Sequence, residues 1–191
     1  MNVGIIVEGA DDFETYPVLI RRIRGDIERV FPIECGGLRK LKNKFVSFIK
    51  DFDSRHDRNV AKVMVIRDSD CGDPRILEEE LRHRLEESGF RPSFPVHFFA
   101  ARCKLESWLL ADEAAINSVA QARNKPGSIG RINEALERLR EADELLAKTL
   151  WRVRLPADEK VYAEIAGYAD LDTIAVRCPY FREFEERLRA C

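Results

Sequence analysis

The sequence predicts an α/β fold: an open, mainly parallel four-stranded sheet flanked by helices, continued by an α-helical C-terminal extension. Three observations predict it. Four short apolar runs, at residues 3–7, 31–35, 62–67 and 95–100, have the length and composition of strands. Stretches of helical spacing alternate with them, which is the pattern of a parallel sheet. At 191 residues, 45% hydrophobic and 35% charged, the chain is long enough and apolar enough to bury its own core.

Residues 3–7 are a buried strand that ends in Glu8-Gly9. Asp11 and Asp12 follow as acids favourable at a helix start. Tyr16, Ile20, Ile23, Ile27 and Val30 then line one face of a helix, in which Pro17 is tolerable only within the first turn. Gly36-Gly37 closes the second strand. From Leu38 to about Phe52 a helix carries Arg39, Lys40, Lys42, Lys44 and Lys50, with Phe45, Phe48 and Ile49 as its apolar side. The third strand, Val63-Met64-Val65-Ile66, runs through Arg67 into Asp68-Ser69-Asp70. Leu77, Leu81 and Leu85 mark a helix stopped by Gly89, and the fourth strand follows.

Right-handed crossovers bring the C-terminal ends of parallel strands to one edge, where ligands sit in such sheets. Glu8 and Asp68 both emerge there. Past Ala101 the pattern is helical. Residues 104–119 predict one helix with Lys104, Trp108 and Asp112 on a shared face. Ile132, Leu136, Leu139 and Leu146 predict a second, and shorter helices near 162–166 and 180–188 complete the chain. Residues 1–101 thus form an α/β core, and 102–191 a helical extension packed on it as one structural unit.

Lys and Arg number 32 against 34 Asp and Glu, a net charge of −2, which excludes a globally basic coat protein but not a local basic patch. No apolar run is long enough to cross a bilayer, and Met1-Asn2-Val3 opens directly on a strand, so the expectation is a cytoplasmic protein with no membrane partner. Five scattered cysteines without a C-x-x-C pair suit reduced thiols. His56, His83 and His97 have no ligand spacing and are expected at the surface or satisfied.

The chemistry-bearing residues are acids. Asp68 and Asp70, two apart on an extended turn, can face one hard cation, and oxygen donors suit Mg2+ or Mn2+. Asp73 precedes Pro74 as a helix cap. Glu106, opening a helix after the fourth strand, can add a ligand for a second ion, since paired metals roughly 3.5 to 4 Å apart serve phosphodiester cleavage. Arg39, Lys40, Lys42, Lys44 and Arg67 lie on the same edge as candidate phosphate contacts.

Glu8-Gly9 after the first strand, with Asp68-Ser69-Asp70 after the third, resembles the Toprim domain of topoisomerases, primases and overcoming-lysogenization-defect nucleases. The resemblance implies a Toprim/Rossmann-like sheet, Glu8 as general acid or base, and Asp68 and Asp70 as magnesium ligands. Val7-Glu8-Gly9-Ala10-Asp11-Asp12 is similar to the nuclease branch, which implies Asp12 as a further ligand. Lys104-Leu105-Glu106-Ser107-Trp108-Leu109-Leu110-Ala111-Asp112, together with residues 165–184, resembles the Toprim-like domain-of-unknown-function 4276 family, so the likeness spans nearly the whole chain. Lys104, Asp112 and Asp73 then fall in supporting positions. The implied activity is Mg2+- or Mn2+-dependent phosphoryl transfer, foremost a nuclease acting on DNA or RNA. The alternative is a non-catalytic component of a phage-defence system that binds nucleic acid or protein beside a separate ATPase.

Overall fold

The computed structural model describes residues 1–55 and 58–191, so His56 lies outside the described residues. The sheet is four-stranded, all parallel and ordered β2-β1-β3-β4, built from β1 (Asn2–Val7), β2 (Arg29–Glu34), β3 (Val60–Asp68) and β4 (Val96–Ala101). Its connections are α1 (Ala10–Ile23), α2 (Leu38–Ser54) and α3 (Pro74–Glu87), followed by α4 (Glu106–Leu109), α5 (Glu113–Ala122), α6 (Ala142–Arg152), α7 (Glu159–Tyr168), α8 (Leu171–Arg177) and α9 (Pro179–Ala190). The α/β class, parallel sheet and helical C-terminal half expected from the sequence are all present.

Each face of the sheet carries its own core. Val3, Ile5 and Val7 of β1 and Met64 and Ile66 of β3 pack with α1 and the C-terminal helices. Ile6, Val63 and Val65 face the other way, onto Leu41, Phe45, Ile49 and Phe52 of α2 and Leu81 of α3. This alternation is the period of an extended chain buried on both sides. Gly4 is needed for the second layer, because a Cβ there would lie 2.8 Å from the Phe52 ring. Pro32 is accommodated because β2 is an edge strand.

The order β2-β1-β3-β4 creates a crevice at the C-terminal ends of β1 and β3. The chain leaves β1 toward β2 and leaves β3 toward β4, in opposite directions, which is the topological switch point where open α/β sheets bind ligands. Glu8 follows β1 and Asp68 ends β3. Both residues therefore border the crevice.

Several local expectations are corrected. Helix α1 runs through Pro17 well past its first turn, held by the burial of Tyr16, Leu19, Ile20 and Ile23 against a cost of about 3 kcal/mol for an interior proline. It stops at Ile23, before Gly25, so Ile27 lies in a loop and Val30 in β2. Residues 104–119 are not one helix. Asp112 accepts the Ala114 and Ala115 N–H groups and starts α5 separately from α4, so the shared face of Lys104, Trp108 and Asp112 does not exist. The single helix predicted through Ile132, Leu136, Leu139 and Leu146 is broken: residues 129–135 are irregular, Leu136–Arg138 form one 3-10 turn, and α6 begins only at Ala142. Side chains take the backbone groups of the irregular part: Asn117 exchanges two hydrogen bonds with Ile129 (2.8 and 3.0 Å), and Glu113 accepts the Ile132 N–H (2.7 Å).

The reduced-thiol expectation also fails for one pair, since Cys71 and Cys103 are disulfide-bonded across 32 positions. Asp68 and Ala101 are in register at the ends of adjacent strands, so the two following loops leave side by side. Linear spacing carries no trace of that. Cys35, Cys178 and Cys191 are free thiols. His83 lies between Glu79 and Glu86 on α3, and His97 is half-buried with Cys191 Sγ 3.2 Å from its Nδ1. Among the described residues no helix is long and apolar enough to cross a membrane.

Candidate active site

Four carboxylates meet at the crevice: Glu8, Asp12, Asp68 and Glu106. Asp12 and Glu106 are buried, Glu8 and Asp68 partly so. Each is placed by its own backbone. Glu8 Oε1 accepts the Asp68 N–H at 3.2 Å, which ties the ends of β1 and β3 together. Asp12, in the first turn of α1, accepts the Gly9 N–H at 3.2 Å. Asp68 Oδ1 accepts the Leu105 N–H at 3.2 Å, and Glu106 opens α4 one residue later. The same strand end therefore anchors two other segments.

The electrostatics are unfavourable for four charges. Desolvation raises the Glu8 carboxyl, offset in part by the Arg67 guanidinium 3.7 Å away. Desolvation, then repulsion from Glu106 and Glu8, pushes Asp12 up to about 8. Asp68 is raised well above the carboxylate range by desolvation and by Asp12, Glu106 and Glu8, and Glu106 is raised mainly by burial. Tyr16, one turn beyond Asp12 and fully buried, has a hydroxyl with no partner, and its ionisation is opposed by burial and by all four acids. Sequence reading treated Tyr16 as a core residue only. Its i,i+4 relation to Asp12 was the available signal.

In the metal-free protein this arrangement makes stability fall as pH rises. Free carboxylates ionise near pH 4, whereas folded Asp12 keeps its proton to about 8. The folded state thus binds more protons than the unfolded chain across that window. The stabilisation is complete below about pH 4 and is lost as pH climbs through about 8. Carboxylates held low elsewhere, such as Glu113 and Asp143, act below that window. Half-buried His97, whose pKa is lowered, works in the opposite sense. With chelator present, Tm is expected to drop by roughly 5 °C or more between pH 5 and pH 8, and Asp12→Asn should flatten the drop. A Tm that rises with pH in both proteins would contradict the assignment.

The remaining expected residues are distributed differently. Asp70 is not paired with Asp68: it sits exposed at a left-handed φ of 48°, on the rim near Glu8 and Lys104. Asp73 caps α3 by accepting the Arg75 N–H at 2.9 Å. Asp112 caps α5 and accepts the Asp170 N–H at 2.7 Å, so its carboxylate is structural. Lys104 pairs with Asp143 at 2.9 Å, not with Asp112. Lys42 is held by Glu80 at 3.1 Å. Arg39, Lys40 and Lys44 line a cavity of about 500 Å3 with Gly36, Gly37, Leu38 and Asn43, where α2 begins without an acid in its first turn. Arg67 is buried on the sheet face opposite Asp68, donates to the Asp68 carbonyl at 3.0 Å, and leaves Nη1 without a partner.

The donors at the crevice are all oxygen, the set preferred by hard cations such as Mg2+ and Mn2+. A buried, unpartnered phenol and mutually repelling carboxyls also fit a cation in kind. Among the described residues, no three of His, Cys, Asp and Glu stand in a geometry that holds a metal ion. Comparison of the chain with protein-family models, with curated proteins and with solved structures finds no match.

Proposed function

We propose that the chain is a divalent-cation-dependent phosphodiesterase of Toprim type acting on nucleic acid. The observation that carries this reading is the convergence of Glu8, Asp12, Asp68 and Glu106 at the switch point of a parallel sheet. Packing acids together under burial is costly, and a cation is the simplest ligand that reverses the cost. Asp68, Asp12 and Glu106 would hold the ion, with Asp70 at the rim. Mg2+ or Mn2+ bound there supplies charge neutralisation for a phosphate and a more acidic water. Glu8 holds or accepts the proton, its carboxyl raised by burial and oriented by the Asp68 N–H. The Arg39, Lys40 and Lys44 surface offers contacts for substrate phosphates, whereas Arg67 is buried and acts on Glu8.

Calorimetric titration of the purified protein with Mn2+ and Mg2+, paired with cleavage of labelled DNA and RNA, tests the reading. Cation binding that raises Tm and supports cleavage is the expected result. A second reading, a non-catalytic binding component, is favoured by the absence of a ready-made metal geometry among the described residues. Nucleic-acid binding without cation binding or cleavage would select it.

A further inference from the structure

Trp151, at the C-terminal end of α6, is left 80% exposed. Its neighbours Val153 and Leu155 are buried and pin the turn, which is closed by hydrogen bonds from the Arg154 N–H to the Trp151 carbonyl (3.0 Å) and from the Leu155 N–H to the Leu150 carbonyl (2.9 Å). The indole and the two guanidinium groups of Arg152 and Arg154 therefore project from an ordered turn. Neither arginine has an ion-pair partner among the described residues. With Leu155 and Pro156 the three residues line a cavity of about 730 Å3, and Arg152 also borders an adjoining one of about 260 Å3 that includes Arg131. A large indole kept in water beside unpaired guanidiniums is a face for a planar, anionic partner.

Helix α6 connects this turn to the segment that carries Glu106. Asp143, near the start of that helix, pairs with Lys104, two residues before Glu106. Eight residues at 1.5 Å each place Trp151 about 12 Å further along the helix axis.

We propose that Trp151, Arg152 and Arg154 form a base-stacking platform for single-stranded nucleic acid. This rests on the phosphodiesterase reading and names an unpaired strand as its substrate class. Stacking on the indole needs an unpaired base, and the arginines take the phosphates on either side.

The chain has two tryptophans, and Trp108 is buried, so quenching by added polymer reports on Trp151. The experiment uses the full chain carrying Asp68→Asn, in chelator, titrated with a short oligothymidylate. Tryptophan quenching is expected, and a duplex of equal length should quench less. By anisotropy of a labelled oligothymidylate, Trp151→Ala should weaken binding roughly tenfold or more, with Trp151→Phe largely restoring it. Arg152→Ala and Arg154→Ala should each reduce the salt slope by about one. Absence of quenching, equal quenching by duplex, or quenching by phosphatidylglycerol vesicles but not by the oligonucleotide would overturn the platform. Hydrolysis by the wild type without quenching removes the platform alone. Quenching without hydrolysis supports the platform and counts against the phosphodiesterase.

Discussion

Asp68→Asn is expected to abolish divalent-cation binding and to lower phosphodiester cleavage by roughly a thousandfold or more, the several kcal/mol that a bound cation contributes. The same substitution should raise the stability of the metal-free protein at pH 8. Asn keeps an oxygen to accept the Leu105 N–H while removing a carboxylate that burial and three neighbouring acids oppose. The two effects have opposite signs, which separates loss of the site from loss of the fold. Calorimetry with Mn2+, a cleavage assay, and Tm in chelator measure all three quantities. Unchanged cleavage would sink the catalytic proposal, and a marked fall in Tm would assign Asp68 a structural role instead.

Trp108→Ala should cost about 3–5 kcal/mol of unfolding free energy, the range for emptying a fully buried aromatic site. Trp108 joins the two halves of the chain. Its ring lies 6.1 Å from Tyr16 of α1, edge-on, and 5.1 and 5.3 Å from Phe181 and Phe184 of α9. Its Nε1 donates to Glu137 Oε1 at 3.3 Å, and Glu137 in turn accepts the Tyr180 and Phe181 N–H groups at the start of α9. Removing the indole therefore empties a packed site and leaves Glu137 one donor short. Trp108→Phe should lose less, since a ring still fills most of the site against Tyr16, Phe181 and Phe184. Urea unfolding checks both variants. A single cooperative transition, shifted by the expected amount, would establish that residues 102–191 and the sheet share one core. A loss below about 1 kcal/mol would show that the extension packs independently.

The first three strands were legible because each short apolar run was too short for a helix and ended in a carboxylate or glycine turn, and the fourth because its Val and Phe residues make a run too short for a helix. The place of Glu8 and Asp68 at the crevice was legible for the same reason: a strand end fixes its edge. Asp12 and Glu106 followed only from a likeness of motifs and from helix position, and their meeting with Asp68 was visible in no spacing. Asp68 and Asp70 look equivalent in sequence, whereas in the fold Asp68 is drawn into the crevice and Asp70, at a left-handed φ, sits exposed on its rim. The split between α4 and α5 was hidden because Asp112 reads as easily as a face residue as a cap.

Sequence periodicity by itself determined the alternation of strands and helices, the parallel sheet and the edge at which Glu8 and Asp68 emerge. These depend on local burial patterns and on the handedness of the crossovers. Only the tertiary structure decided which acids gather, that Tyr16 lies beneath them, that Cys71 meets Cys103, and that Trp151 stays in water. Each depends on how segments far apart in the chain approach one another, and that approach is set by packing across the strand order β2-β1-β3-β4.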